Sequence, residues 1–135
     1  MDTKGPKLSI LIADDDAVTR GALRLLLTEQ GHSVIGEAVD GARALDMCML
    51  LKPDIIFSDI NMPKLDGLDL SDQIRTRAPK VRIVIISSLP TVANVRRAMQ
   101  GGASGFVVKP FNARNVIDAL NNCVRQEQTA AAKPA

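Results

Sequence analysis

Five short apolar runs, rich in β-branched residues, alternate along the chain with five helical patterns. The runs are Leu8 to Ala13, Ser33 to Ala38, Asp54 to Asp59, Val81 to Ser87 and Gly105 to Lys109. Helical spacing covers Ala17 to Glu29, Gly41 to Leu51, Leu68 to Thr76, Thr91 to Gln100, and a last segment from Asn112 to about Gln126, where Val116, Leu120, Cys123 and Val124 share one face. Gly31, Pro53, Pro79 and Gly101-Gly102 punctuate the ends of the first four helices. Five β-α units in succession predict an α/β fold: a parallel sheet covered by helices on both faces.

A chain of 135 residues, 46% hydrophobic and 24% charged, suits one globular domain. That domain is expected over residues 1–126. Residues 127–135, poor in apolar side chains, are expected to form a flexible tail. No apolar stretch approaches the roughly 20 residues that span a bilayer, and Met1 to Lys7 lacks the apolar segment of a secretory signal. A cytoplasmic protein without a membrane partner is therefore expected. The net charge of +2 is scattered, Arg96-Arg97 is too small a basic patch, and there is no Trp or Tyr for base stacking, so no nucleic-acid partner is expected. Cys48 and Cys123 lie far apart in helical patterns and read as reduced packing residues.

Asp14 and Asp15 follow the first apolar run, and Asp59 ends the third. Carboxylates at the tips of buried strands are costly to desolvate unless something positive neutralises them, and a hard divalent cation with oxygen ligands does this. Lys109 ends the last run and adds a fixed positive charge, while Ser87 ends the fourth. In an open parallel sheet ligands bind beyond the carboxyl ends of the strands, where all five residues fall. Periodicity leaves the strand order open.

The segments Ile-Leu-Ile-Ala-Asp-Asp-Asp, Pro53-Asp-Ile-Ile-Phe-Ser-Asp59, Met62-Pro63 with Asp66-Gly67, Ile85-Ile86-Ser87-Ser88, and Gly102 through Phe111 with Lys109-Pro110 stand in order between about Leu8 and Val124. In this the sequence resembles the receiver domain of two-component response regulators. The resemblance implies a flavodoxin-like, doubly wound five-stranded sheet of order 2-1-3-4-5. It implies Asp59 as phosphoacceptor, and Mg²⁺ as cofactor held by Asp14, Asp15, Asp59 and the backbone carbonyl of Asn61. Lys109 and Ser87 would meet phosphoryl oxygens, and the Lys109-Pro110 bond would be cis. Ser87 and Phe106 would form a switch.

The partners implied are a sensor histidine kinase or a histidine phosphotransfer protein upstream and a protein target downstream, bound on the face of the fourth helix, fifth strand and fifth helix. The chain would act as a monomer or as a phosphorylation-induced dimer, in a chemotaxis-like or phosphorelay role, catalysing only its own phosphorylation and dephosphorylation. Leu89, two residues past Ser87, occupies a position that in this family flanks the path of the hydrolytic water; being apolar, it predicts slow to moderate dephosphorylation. Two alternatives stand beside this reading: a Mg²⁺-dependent phosphohydrolase with an aspartyl nucleophile, disfavoured because Asn61 offers no acid two residues on, and a degenerate receiver acting as a scaffold.

Other polar residues read as structural. His32 has no partner at ligand spacing and is expected as an exposed turn residue, Asp16 as the cap of the first helix, and Asp66 as a turn residue or cap. Asp40, Asp69 and Asp72 are expected as solvated charges.

Overall fold

A computed structural model describes residues 7–132, with side chains as far as Arg125. Ten elements alternate: β1 (Ser9–Ala13), α1 (Ala17–Glu29), β2 (Ser33–Ala38), α2 (Gly41–Leu51), β3 (Ile55–Asp59), α3 (Gly67–Arg77), β4 (Arg82–Ser87), α4 (Val92–Gln100), β5 (Gly105–Val108) and α5 (Ala113–Ala132). The strands form one parallel sheet in the order β2-β1-β3-β4-β5, a flavodoxin-like arrangement. The order reverses beside β1, so the crevice at the carboxyl ends of β1 and β3 is the expected binding position.

Side chains alternate across the sheet and build two apolar clusters. Leu11, Ile56, Ile83 and Ile85 face Ala44, Cys48, Leu70, Ile74 and Ala98 of α2, α3 and α4. Ile10, Ile12, Phe57, Val84 and Ile86 face Leu23, Leu27, Val116 and Leu120 of α1 and α5. Each fully buried aliphatic side chain contributes roughly 1.5–3 kcal/mol, so both faces tie the central strands firmly. Burial pushes the Cys48 thiol up to about 12, which fits a packing role.

Most helix starts carry the caps that the sequence offers. Asp16 accepts from the amides of Val18 and Thr19, Asp66 from those of Leu68 and Asp69, and Thr91 from that of Asn94. Asp40, expected as a solvated charge, instead caps α2 by accepting from the Arg43 amide at 2.7 Å. Asp69 is exposed but paired with Arg97 of α4 at 3.1 Å. His32, expected exposed in a turn, is half-buried, and its Nδ1 accepts from the Leu8 amide at 3.1 Å. That amide sits at the mouth of β1, where the imidazole is the acceptor within reach.

The last helix, expected to end about Gln126, continues to Ala132. Nothing in Glu127-Gln128-Thr129-Ala-Ala-Ala breaks a helix, alanine favours one, and Pro134 is the first residue that forbids it. The tail expected over 127–135 is therefore helical as far as it is described, and its last three residues lie outside the described range.

The two rims of the sheet differ. The helix-to-strand connections at one rim carry left-handed residues at Gly31, Lys52 and Gly102, while Lys64, also left-handed, lies at the other rim between β3 and α3. The strand-to-helix connections at the other carry Asp14, Asp15, Asp59, Ser87 and Lys109.

Candidate functional site

Asp14 follows the last paired residue of β1 and has no exposed surface. Its amide donates to the Ala38 carbonyl of β2 at 3.0 Å. Its Oδ1 accepts from the Asp16 amide at 2.8 Å, folding the chain back into α1. Its Oδ2 has no aligned hydrogen-bond donor and lies 2.8 Å from Lys109 Nζ.

Asp59 ends β3 and is 6% exposed. Lys109 Nζ lies 3.5 Å from its Oδ2, so one ammonium serves two carboxylates. Desolvation and the neighbouring Asp14 charge push the Asp59 carboxyl above its usual range, against the pull of Lys109. For Lys109, burial favours the neutral amine, but Asp14 and Asp59 outweigh it and hold the ammonium above its usual range. Asp15 is exposed on the rim.

One carboxylate oxygen from each of Asp14, Asp15 and Asp59 lies within 4.8 Å of the other two. This donor set is all oxygen, carries three negative charges against one lysine, and holds a fully buried oxygen without a hydrogen bond. It fits a hard divalent cation that keeps part of its water. Asn61, two residues past Asp59, is exposed on the same rim.

Ser87 is buried at the end of β4, one residue past the partner of Asp59 in the ladder. Its Oγ accepts from the Leu89 amide at 3.0 Å, and its carbonyl accepts from the Lys109 amide at 2.8 Å. The Lys109-Pro110 bond is cis. Phe106 is half-buried and pairs with Ile85, which places it on the same face of the sheet as Ser87, two residues along β4. A hollow of about 410 Å³ opens beside Lys109, lined by Val18, Thr19, Ala22, Ser88, Pro110 and Phe111.

The receiver-domain model of response regulators matches residues 10–121. The chain belongs to that family. The chemotaxis protein CheY of Thermotoga maritima is 39% identical over 112 residues, 83% of this receiver and 93% of that protein. Among solved structures, the receiver domain of the putative response regulator NarL from Mycobacterium tuberculosis superposes with a TM-score of 0.84 at 30% identity, covering 90% of this receiver and 98% of that chain. A CheX-CheY-BeF3-Mg²⁺ complex from Borrelia burgdorferi gives 0.79 at 31% identity, covering 83% and 85%. The chain is thus a CheY-like response regulator receiver, a signalling protein. No helix among its described residues is long and apolar enough to cross a membrane.

The structure gathers Asp14, Asp15, Asp59 and Lys109 directly and sets Ser87 on the adjoining strand end. Two positioning residues escape a reading of charge and periodicity. Gly67 donates its amide to the Ile60 carbonyl at 2.7 Å, and a Cβ there would stand 2.0 Å from the Asp59 carbonyl oxygen. Gly41 is as tight: its Cβ would stand 1.7 Å from the Leu65 carbonyl oxygen. In the sequence both resemble ordinary glycines at helix starts.

Proposed function

We propose that the receiver takes a phosphoryl group onto Asp59 from a sensor histidine kinase or a histidine phosphotransfer protein. An Asp59 carboxylate oxygen attacks phosphorus, the phosphorus–nitrogen bond to the donor imidazole breaks, and its electron pair stays on that nitrogen. The observation that carries this reading is a nearly buried carboxylate beside two more carboxylates and a lysine that reaches both Asp14 and Asp59.

Asp14, Asp15, Asp59 and the Asn61 carbonyl would hold Mg²⁺. When bound, the ion neutralises charge on the transferring oxygens. Lys109 meets one phosphoryl oxygen and exchanges its partner there. The Ser87 hydroxyl, which already accepts from Leu89, turns its proton toward another. The hollow beside Lys109, with exposed Val18 and Pro110 at its edge, suits an apolar donor surface.

Phosphorylation would bias a two-state surface of α4, β5 and α5 through Ser87 and Phe106, which share a face of the sheet. A downstream protein target binds there in the cytoplasm, with the receiver as a monomer or as a dimer formed on activation. The test is intact mass after incubation with Mg²⁺ and acetyl phosphate. One added phosphoryl group, lost in Asp59→Ala and under chelation, supports the reading. No addition, together with no beryllofluoride complex, overturns it.

A further inference from the structure

We propose that Arg20 is a positioning residue for the acid pair: it pins the backbone at Asp14, so that both Asp14 oxygens stand where the metal site needs them. The inference rests on the phosphoacceptor reading above. Arg20 lies near the start of α1, and its side chain is only 16% exposed.

Its Nη1 donates to the Asp14 carbonyl at 2.8 Å. That carbonyl lies one residue past the β1 ladder, which ends at Ala13, so the sheet supplies no donor for it. Its Nε donates to Glu37 Oε1 of β2 at 3.1 Å, while Arg24 takes the other Glu37 oxygen. Residue 38, next to Glu37, accepts from the Asp14 amide. The Asp14 residue is therefore held on its amide side by β2 and on its carbonyl side by α1, while Glu37 meets a different edge of the guanidinium. A planar fork with several donors can serve both partners at once; a lysine offers one point charge.

The role separates from mere charge by its sign. Arg20 adds positive charge near a site that would attract a cation, so on electrostatics alone its removal tightens Mg²⁺ binding. On positioning, removal weakens it, because the oxygens lose their fixed spacing. Arg20→Met deletes the donor while keeping an apolar stem for the packing. Glu37→Gln removes the ion pair but leaves Arg20 able to reach the Asp14 carbonyl.

Two readouts apply to both variants: hydrogen exchange of the Asp14 amide without metal, and Mg²⁺ affinity by calorimetry. In R20M the amide should exchange about ten-fold faster, the effect of losing one charged hydrogen bond. Mg²⁺ should bind about ten-fold more weakly. In E37Q both should stay close to the unmodified protein. Equal losses in the two variants, no change in R20M, or tighter Mg²⁺ binding in R20M would each overturn the proposal. If the unmodified protein binds no Mg²⁺, the metal-site reading fails, and the exchange of the Asp14 amide alone decides whether Arg20 positions it. Should R20M not fold, R20K keeps the charge on one nitrogen without the planar fork and should exchange the Asp14 amide several-fold faster and bind Mg²⁺ several-fold more weakly than the unmodified protein; a match to the unmodified protein counts against the proposal.

Discussion

Replacing Gly67 by alanine adds one methyl group, and its surroundings are fixed. The new Cβ would stand 2.0 Å from the Asp59 carbonyl oxygen, 2.8 Å from the Asp59 carbonyl carbon and 2.9 Å from the Ile60 Cα. All three are backbone atoms at the end of β3, so no side chain can swing aside. Either α3 lifts or the Asp59 peptide moves. Overpacking costs about 1–3 kcal/mol, and a backbone obstacle places this case near the top of that range. With an unfolding entropy of about 2.1 cal/mol/K per residue, 135 residues give a shift of about 3–4 °C per kcal/mol, so Tm should fall by about 10 °C. Gly21 supplies the control. It lies inside α1, exposed, and a Cβ added there would have nothing within 4 Å. There alanine should stabilise by about 0.5–1 kcal/mol, raising Tm by about 2–4 °C. Calorimetry on both variants reads the result. Equal shifts, or a Gly67→Ala variant as stable as the parent, would refute the claim that Gly67 exists to let α3 approach Asp59.

Three further outcomes follow from the site. Asp59 is held above its usual carboxyl range, so the fold takes up a proton between the unfolded and folded values and loses stability as pH rises through that window; Asp59→Asn should therefore raise Tm at neutral pH in the absence of metal, by a margin that shrinks on acidification, and a margin independent of pH would contradict this. Lys109→Met strands the fully buried Asp14 carboxylate and should cost about 3 kcal/mol by urea denaturation, part of it recovered on adding Mg²⁺; an unchanged midpoint would show that Lys109 does not neutralise the pair. Leu89 is 55% exposed and offers no group to orient water, so Leu89→Glu should change the lifetime of the phosphorylated species, followed by intact mass; an unaltered decay would remove Leu89 from the path of hydrolysis.

What the sequence made legible follows its periodicities. Five apolar runs became five strands that pack between two layers of helices, and Asp14, Asp59 and Lys109 lie at their ends because a charge there has only the rim to occupy. The two-sided sheet was readable for the same reason, with Leu11 and Ile12 serving opposite clusters. Contacts between segments distant in sequence were not. His32 meets Leu8 across 24 residues, and Arg20 meets Glu37 across 17. No local pattern encodes such pairs; they exist only once the sheet order is set. Gly67 hides for a different reason: its role is the absence of an atom, and what that absence admits is the carbonyl of Asp59, on the strand before. The extent of α5 shows a third cause, since Ala131 and Ala132 carry no periodic signal while still favouring a helix.

The separation of the two rims has a consequence for rebuilding the protein. The turn at Pro79-Lys80 joins α3 to β4 on the side away from every acidic side chain of the site, and both residues are exposed. Chain ends or an inserted reporter placed there would interrupt no strand and no strand-to-helix loop. The receiver is thus laid out like a socket with its wiring on one side and its housing on the other: the housing can be cut and respliced while the contacts stay seated.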